Sequence, residues 1–343
     1  MFLIEGKKEG ENLTPITVLM SVFNNERWLK EVLNSVLEQT FENFEFIIIN
    51  DGSTDNSLNI LKDYEAIDSR ISLFNKPNTG IADSLNLGIM NANGKWIARI
   101  DADDICEPDR LAKQYQLAES SKNAVLIGSF FREIDELSRQ GKTFQCPTQD
   151  KKLKYNLIFG KSFIAHPSAF ILTAAIREVG GYRSRVPSCD DHDLWLRLIP
   201  HGSFYCVPEP LVNYRRHNDQ HSNVEQGKRQ RIEHILTLVA FHLVKLGEQD
   251  PFSYSDDEFK EFYSWIENNL LASNYFNYLF FLRSLKQRLS ELRISYFHIS
   301  GIFIYIFTHP LHTIKLIKRY FLGIRFPVIL AKRWRDHRYY ISK

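Results

Sequence analysis

The chain has 343 residues, of which 44% are hydrophobic and 24% are charged, a balance that predicts a folded protein and excludes a disordered one. Its 43 basic and 41 acidic residues leave a net charge of +2, which gives no reason to expect a nucleic acid as partner. This length allows one large domain or two modest ones, with a substantial buried core.

Segments typical of strands and of helices alternate along the first half of the chain. Short apolar or β-branched runs predict strands at Ile16–Val22, Phe44–Ile49, Ile71–Phe74, Trp96–Ile100 and Ala124–Phe131. Apolar residues at helical spacing predict helices between them, at Trp28–Leu37, Ser57–Tyr64, Ile81–Ala92 and Pro108–Ala118. This alternation predicts an α/β fold with a mostly parallel sheet covered by helices on both faces. Ligands of such sheets bind beyond the carboxyl ends of the strands.

The ends of elements and the boundaries of domains can also be placed. Asp55 is the expected N-cap of its helix, and Pro108 suits the first turn of another. From about Asp150 to Ser222 the pattern is less regular, and beyond Val224 it is helical. We therefore expect a polar tail at 1–14, an α/β domain at 15–223 and a helical C-terminal region at 224–343.

The cysteines and the N-terminus indicate a reduced protein in the cytoplasm. The four cysteines, Cys106, Cys146, Cys189 and Cys206, fit no CxxC metal pattern, and a chain of this size does not need disulfides. The polar N-terminus lacks the apolar stretch of a signal peptide. The most apolar later segment, Tyr296–Phe307, is too short to span a bilayer.

Three carboxylates stand within four residues at Asp101, Asp103 and Asp104, directly after a predicted strand. A divalent cation that prefers oxygen ligands would relieve their repulsion, and Mg²⁺ or Mn²⁺ would also bind a diphosphate. The alternative is a solvated loop in which Asp103 or Asp104 caps the next helix. The position at the end of a strand favours the metal site.

Two further acidic positions allow two interpretations each. Asp51 ends the second strand, where it would accept hydrogen bonds from a ribose or a base, or would simply form a turn in the run NDGSTD. Asp190, Asp191 and Asp193 crowd the first turn of a predicted helix, where the helix dipole favours acids. Alternatively, one of them is a general base that deprotonates an acceptor hydroxyl.

Three long runs follow one another along the chain: TVLMSVFNNERWLKEVLNSVLEQTFENFEFIIINDGSTDNS, NTGIADSLNLGIMNANGKWIARIDADD and DDHDLWLRL. In this order they resemble family 2 glycosyltransferases, whose catalytic domain has the GT-A fold, and the resemblance extends from about Pro15 to Ser222. It implies that the domain at 15–223 is a GT-A glycosyltransferase domain followed by a C-terminal helical extension. Bacterial enzymes of lipopolysaccharide or capsule synthesis have chains of similar size and layout, so a surface glycan is the expected product.

The resemblance implies roles for individual residues. The implied nucleotide-binding residues are Val22, Phe23, Asn24, Glu26, Asp51, Arg99 and Asp101. Asp103 would be the principal metal ligand, and Asp101 would contact the ribose or the metal. Asp191 would be the catalytic base, but Asp190 stands where the family commonly has Glu, so the choice between the two stays open and Asp191 is favoured.

Two shorter segments resemble family motifs as well. His166-Pro167-Ser168 resembles a segment beside the acceptor or sugar pocket, although a single His is often only packed and hydrogen-bonded. Tyr214–His217 resembles the family's YRxH stretch, so its arginines would hold diphosphate charge and His217 would be a further metal ligand, or the stretch is a solvated basic turn. The expected pocket residues are His166, Trp195 and Arg216.

The implied reaction is an inverting transfer from a nucleotide sugar, expected to be a UDP-sugar, to a saccharide or glycolipid acceptor. Mg²⁺ or Mn²⁺ and the basic groups would neutralise the charge that grows on UDP. Asp191 would take the proton as the acceptor oxygen attacks the anomeric carbon from the opposite face, so no covalent nucleophile is needed.

The C-terminal region is basic and apolar. Beyond Leu311 one acid, Asp336, is outnumbered by the basic residues Lys315, Lys318, Arg319, Arg325, Lys332, Arg333, Arg335, Arg338 and Lys343. Aromatic and aliphatic residues alternate with them, which predicts a helix lying on the anionic inner face of the cytoplasmic membrane. The alternative is a helical subdomain that packs on the catalytic domain with its basic side in solvent.

Two other functions are alternatives to sugar transfer. A sugar-nucleotide pyrophosphorylase would have a glycine-rich phosphate loop after the first strand, where this chain has SVFNNERW. A non-catalytic scaffold that binds nucleotide sugars would be expected to have lost acids at the metal or base position. Asp51, Asp101, Asp103 and Asp191 are all present, which favours an active transferase.

Overall fold

Four parallel strands form the first half of the central sheet. The computed structural model describes residues 14–159, 164–217, 227–272 and 327–339. The four strands are β1 (Ile16–Val22), β2 (Phe44–Asp51), β3 (Ile71–Lys76) and β4 (Trp96–Asp101), in the order β3-β2-β1-β4. Ile16 pairs with Phe44 on one side and with Trp96 on the other. Apolar side chains bury both faces of these strands, as in sheets that helices cover on both sides.

Helices follow the strands at the predicted places. They are α1 (Leu29–Leu37), α2 (Ser57–Ile67), α3 (Ile81–Asn91) and α4 (Arg110–Ser120). Two predictions about helix starts were wrong. Asn56, not Asp55, is the N-cap of α2, and Asp55 lies one residue before it, where its Oδ1 accepts the Ser57 N–H at 2.9 Å. Pro108 precedes the N-cap Asp109 of α4 and lies outside the helix.

Five more strands extend the sheet beyond β4. They are β5 (Ile105–Cys106), β6 (Ala124–Ile134), β7 (Gln140–Phe144), β8 (Phe170–Leu172) and β9 (Ser203–Arg215). The full order is β3-β2-β1-β4-β8-β6-β9-β5, with β7 on the side of β6. β8 runs antiparallel to β4 and β6, whereas the long pair of β6 and β9 is parallel. The α/β fold with a mostly parallel sheet is confirmed, although only β6 of these five strands was predicted.

The remaining described elements are helical. They are α5 (Asp150–Ile158), α6 (Thr173–Glu178), α7 (Asp190–Leu198), α8 (Gly227–Lys245), α9 (Asp256–Ala272) and residues 327–339. The chain divides into two compact units, Met1–Gln226 and Gly227–Lys343. Helices of the second unit confirm the C-terminal extension. In the parts of the chain that the structure describes, no helix has the length and hydrophobicity needed to cross a membrane. The segment Tyr296–Phe307 lies outside those parts.

The prediction of four reduced cysteines was wrong for two of them. Cys146 and Cys206 form a disulfide, with sulfur atoms 2.08 Å apart, while Cys106 and Cys189 are buried free thiols. The pairing was hidden because 60 residues separate the two positions. They meet because the connection from β7 to α5, which carries Cys146, passes beside β9, which carries Cys206.

Two buried polar side chains of α4 fix the strands that carry the site. Arg110 donates to the backbone oxygen of Arg99 in β4 at 2.6 Å. Gln114 donates to the backbone oxygens of Ser168 at 2.8 Å and of Ile127 in β6 at 3.3 Å. Both side chains are essentially inaccessible to solvent. Since unsatisfied buried polar groups are costly, these bonds hold α4, β4 and β6 in one arrangement.

Gly94, between α3 and β4, provides a test of this packing. A Cβ atom at this position would lie 2.3 Å from the backbone nitrogen of Thr17, so Gly94→Ala requires the start of β1 to move. We expect a loss of about 1–3 kcal/mol in the free energy of unfolding, measured by denaturant titration. Gly141→Ala is the control, because Gly141 is exposed on β7 and its nearest neighbour would be 3.2 Å away. Equal stability of the two variants would contradict the packing described.

Candidate active site

Three carboxylates lie together where the chain leaves β4. One oxygen from each of Asp101, Asp103 and Asp104 lies within 4.8 Å of the others. Asp104 is fully buried, whereas Asp101 and Asp103 are partly exposed. Burial raises the pKa of Asp104 well above its ordinary value, and the neighbouring Asp103 and Asp101 raise it further. The arrangement is therefore electrostatically unfavourable unless protons or cations compensate it.

Two side chains from other positions face this cluster. Arg99 is 3% exposed and forms a two-pronged ion pair with the carboxylate of Asp101. His217, just beyond β9, places Nε2 2.9 Å from Oδ2 of Asp103. The His217 ring also packs on Trp28, with 4.3 Å between ring centroids. The structure thus brings together two sequence-predicted metal ligands, Asp103 and His217, that are 114 positions apart.

Arg215, two residues before His217, connects the cluster to the rest of the domain. Its backbone N–H donates to Oδ1 of Asp104 at 2.8 Å. Its buried guanidinium donates to the backbone oxygens of Asp103 and Asp135, the Ser138 hydroxyl and the Glu31 carboxylate. One arginine therefore ties the acidic loop to α1 and to the turn between β6 and β7.

The donor atoms of the cluster fit a divalent cation. In the described part of the chain, Oδ2 of Asp104 and Nδ1 of His217 are buried without a hydrogen-bond partner. Carboxylate oxygens are ligands that suit Mg²⁺ or Mn²⁺, and such an ion would offset the repulsion among the acids. The alternative of a capping role is wrong, because α4 has Asp109 as its N-cap and begins at Arg110.

The first predicted nucleotide-binding loop, residues 22–26, is bonded to the loop 53–57 after β2. Asn24 has a φ of +50°, a left-handed conformation that Asn tolerates. Its N–H donates to Ser53 Oγ at 3.0 Å, and its Oδ1 accepts the Thr54 N–H at 2.7 Å. These reciprocal bonds fix the two loops to each other at the carboxyl ends of β1 and β2.

Glu26 makes a second reciprocal exchange with the same loop. Its N–H donates to Asp55 Oδ2 at 3.0 Å, and its Oε2 accepts the Asn56 N–H at 2.8 Å. Val22 is buried at the end of β1, whereas the Phe23 ring is 47% exposed. Of the predicted loop residues, Phe23 therefore offers an open apolar surface, while Asn24 and Glu26 maintain the shape of the loop.

Asp51, at the end of β2, binds the turn that precedes α3. Its carboxylate pairs with Lys76 and accepts the N–H groups of Thr79 and Gly80 at 2.9 and 3.0 Å. Burial tends to raise the pKa of Asp51, but the Lys76 contact and these N–H groups outweigh it and lower the pKa. Gly52 is required beside it, since a Cβ there would lie 2.6 Å from the backbone nitrogen of Asn78. The contact of Asp51 with a base or ribose stays a prediction.

Asp190 and Asp191 begin α7. Oδ1 of Asp190 accepts the Asp191 N–H at 2.9 Å, and Oδ1 of Asp191 accepts the His192 N–H at 2.6 Å. Burial and the adjacent Asp191 raise the pKa of Asp190 to about 8. Burial also raises the pKa of Asp191, while the charge of Arg99 lowers both values and the charge of Asp101 raises them. These electrostatic interactions indicate that the start of α7 faces the acidic cluster.

His166 lies near the same group of charges. Its Nε2 is 2.8 Å from the Tyr182 hydroxyl, and its ring meets Trp195 of α7 edge-on, with centroids 6.1 Å apart. Burial and the charge of Arg99 hold the pKa of His166 well below its ordinary value, so the imidazole is neutral. Trp195 is fully buried and packs against the His166 ring.

Arg216 is the one predicted pocket residue whose contacts lead elsewhere. It ion-pairs with Glu133 at 2.7 Å and lies over the Tyr214 ring, with its side chain half exposed. Sequence reasoning selected Arg216 and gave no separate role to Arg215. Alternation along a strand was the available signal, since it places Arg215 and His217 on the same side and Arg216 on the other.

Comparison with known proteins bears on this arrangement of residues. The sequence model of the family described as "Glycosyl transferase family 2" matches residues 17–180. The chain is 34% identical over 209 residues to the putative glycosyltransferase EpsE of Bacillus subtilis, covering 60% of this chain and 74% of that protein. It is 31% identical over 210 residues to the O-antigen biosynthesis glycosyltransferase WbnJ of Escherichia coli, covering 60% and 81%.

Solved structures show a likeness of fold. The structure of S. aureus TarS superposes with a TM-score of 0.55 and 15% identity, covering 76% of this chain and 43% of that chain. The shorter TarS 1–349, in complex with UDP-GlcNAc, superposes with the same TM-score, and the match covers 76% of this chain and 72% of that chain. At this identity the likeness concerns the fold alone, which is the GT-A fold.

The role of Arg215 predicts a large difference between two adjacent arginines. Arg215→Met removes a fully buried guanidinium and leaves four oxygen acceptors without their donor, so we expect the free energy of unfolding to fall by about 3 kcal/mol. Arg216→Met removes only a half-exposed ion pair, so its loss should stay below about 1 kcal/mol. Denaturant titration of both variants measures the difference. Similar losses would show that Arg215 does not connect the acidic loop as described.

The raised pKa of Asp190 predicts that Asp190→Asn stabilises the protein by an amount that depends on pH. The folded protein keeps this carboxyl protonated up to about pH 8, whereas the unfolded chain ionises it near pH 4. The wild type therefore loses stability relative to the variant as the pH rises between these values. We expect the excess Tm of Asp190→Asn to grow from about pH 5 to pH 8 and then to level off. An excess that shrinks with rising pH would reverse the assigned shift.

Proposed function

The chain belongs to glycosyltransferase family 2, and we propose that it transfers a sugar from a UDP-sugar to an acceptor hydroxyl with inversion of configuration. The observation that carries this proposal is the acidic cluster at the end of β4, compensated by Arg99 and His217 and facing two further carboxylates at the start of α7. The acidic cluster at the end of β4 suits a nucleotide diphosphate with its metal ion. The carboxylates at the start of α7 suit removal of a proton from an acceptor.

The donor site is proposed at the carboxyl ends of β1, β2 and β4. The exposed ring of Phe23 offers a surface for a base, and the bonded loops 22–26 and 53–57 give that surface a fixed position. Asp51 lies at the same edge of the sheet, where its bonds to Lys76 and to backbone N–H groups also fix the adjacent loop. TarS, which has the same fold, binds UDP and UDP-GlcNAc, and this supports a uridine donor.

The proposed metal ligands are Asp103 and Asp101, with Asp104 and His217 as further donors. Mg²⁺ or Mn²⁺ held there would supply positive charge beside the diphosphate. Arg99 neutralises the carboxylate of Asp101 from inside the protein. His217 lies against Asp103 and its ring is fixed by Trp28, so these two side chains can keep their positions when a donor enters.

Asp191 is proposed as the general base. Each carboxylate has one oxygen engaged by a backbone N–H, but Asp190 is only 8% exposed and Asp191 is the more accessible of the two. An acceptor hydroxyl that approaches α7 therefore meets Asp191 first. The raised pKa of Asp191 suits a carboxylate that must accept a proton from the acceptor. Asp190, with a pKa of about 8, already carries its proton near neutral pH. Direct attack by the deprotonated oxygen on the anomeric carbon leads to inversion.

The acceptor is proposed to be a saccharide or a lipid-linked saccharide of a surface glycan. The similarity to WbnJ, an O-antigen biosynthesis enzyme, supports this class. We place the enzyme as a peripheral protein at the cytoplasmic face of the membrane. Since Cys146 and Cys206 form a disulfide, this placement does not rest on the cysteines. In the helix 327–339, Lys332 and Arg333 are exposed and suited to anionic headgroups, while Trp334 is buried. Arg335 and Arg338 of the same helix form ion pairs with Asp336 and Glu258. The remaining basic residues of the C-terminal stretch lie outside the described residues.

Release of UDP from a panel of UDP-sugars tests the proposal. With Mn²⁺ or Mg²⁺ and no acceptor, we expect slow hydrolysis of one donor, and EDTA should abolish it. Asp103→Asn should lower the rate by about 100-fold or more, because it weakens charge compensation at the diphosphate. Asp109→Asn, at the nearby N-cap of α4, is the matched control, and its rate of UDP release should stay within about twofold of the wild-type rate.

Each result of this panel has a definite meaning. Turnover that survives both EDTA and Asp103→Asn would contradict metal-dependent transfer. UDP binding without turnover of any donor would indicate that turnover needs the acceptor or a different donor nucleotide, and the absence of both would contradict the uridine donor.

A further inference from the structure

Tyr182 is held by unusually complete bonding of its backbone. Its N–H donates to Oδ1 of Asn86 at 2.8 Å, and its carbonyl accepts from Nδ2 of the same amide at 2.9 Å. Gly181 permits this contact, because a Cβ there would lie 2.2 Å from Asn86 Oδ1 and its φ is +69°. Asn86 belongs to α3, the helix that begins at the loop held by Asp51. The position of Tyr182 is thus fixed from the donor side of the domain.

The side chain of Tyr182 points to the acceptor side. It is 4% exposed, and its hydroxyl lies 2.8 Å from Nε2 of His166. The phenol also interacts electrostatically with Arg99, Asp190 and Asp191. A buried hydroxyl group therefore lies among the charges of the proposed transfer centre, and no sequence motif indicated a role for it.

We propose that Tyr182 is a positioning residue for transfer: its hydroxyl anchors His166, and the anchored imidazole forms part of the wall that receives the acceptor beside Asp190 and Asp191. This inference rests on the proposed function. It differs from a packing role, because packing needs only the ring of Tyr182, whereas anchoring needs its hydroxyl group.

The anchor matters because a neutral imidazole has two distinct nitrogens, one a donor and the other an acceptor. If Nε2 donates to the Tyr182 hydroxyl, Nδ1 is an acceptor, and if Nε2 accepts from it, Nδ1 is a donor. It also holds the ring edge-on against Trp195, the buried residue of the same helix that carries Asp190 and Asp191. Without the hydroxyl, the imidazole can change tautomer and orientation, and the wall beside the base loses its fixed pattern of hydrogen bonding.

Tyr182→Phe tests the hydroxyl alone. For the UDP-sugar that the wild type hydrolyses, we expect kcat to fall by about tenfold while the donor KM stays within about twofold. Tyr64→Phe is the matched control, since the Tyr64 hydroxyl also makes one hydrogen bond, to Oδ1 of Asn34 at 2.8 Å, on the exposed side of α1 and α2. An unchanged kcat in Tyr182→Phe, or an equal loss in Tyr64→Phe, would overturn the proposal.

A double-mutant cycle tests whether Tyr182 acts through His166. If it does, the variant Tyr182→Phe/His166→Ala should have the kcat of His166→Ala alone. Effects that multiply would show that the two side chains act independently, and that result would also overturn the proposal.

Nuclear magnetic resonance of ¹⁵N-labelled histidine gives a readout that needs no turnover. The His166 signals, identified by their loss in His166→Ala, should move towards tautomer-averaged positions in Tyr182→Phe and stay unchanged in Tyr64→Phe. Unchanged signals in Tyr182→Phe would disprove the anchor whether or not any UDP-sugar is a substrate. If the signals move but no donor is turned over, the anchor exists and the proposed function is the part that fails.

Discussion

Repulsion among three carboxylates at the end of β4 is the constraint on which the rest of the domain depends. Asp101, Asp103 and Asp104 lie within a few ångströms of one another, and one of them is fully buried. The protein compensates this charge from several directions, with Arg99 on the strand itself and with His217 and the backbone of Arg215 from the end of β9. Because β4 and β9 are separated by β8 and β6, the site exists only when the whole sheet has formed.

The same arrangement explains the division of work between neighbouring residues. Arg215 is buried and structural, whereas Arg216 is exposed and bonded to the surface residue Glu133. The loops after β1 and β2 are bonded to each other, which fixes one wall of the proposed donor site without any ligand. Across the cluster, α7 presents Asp190 and Asp191, whose pKa values burial raises. We therefore propose that the acids at the end of β4 bind a cation and that Asp191 on α7 takes up the proton.

The sequence predicted the parallel half of the fold well, because β1 to β4 are continuous apolar runs and the helices between them have clear helical spacing. It did not predict β8, which has three residues, or β9, whose run SFYCVPEPLVNYR contains two prolines and many polar residues. The disulfide and the contact of His217 with Asp103 depend on long-range pairing that no local pattern shows. The acidic motif after β4 identified the cluster of three carboxylates. They did not indicate Tyr182, whose importance arises only from the side chains that surround it.

Calorimetric titration of UDP in the presence of Mn²⁺ and in the presence of EDTA tests the central claim most directly, because it needs neither the donor sugar nor the acceptor. The acidic cluster predicts that UDP binds with Mn²⁺ and that EDTA weakens this binding by about tenfold or more, since the diphosphate then meets uncompensated carboxylates. Equal affinity under both conditions would contradict a metal-dependent diphosphate site at the end of β4.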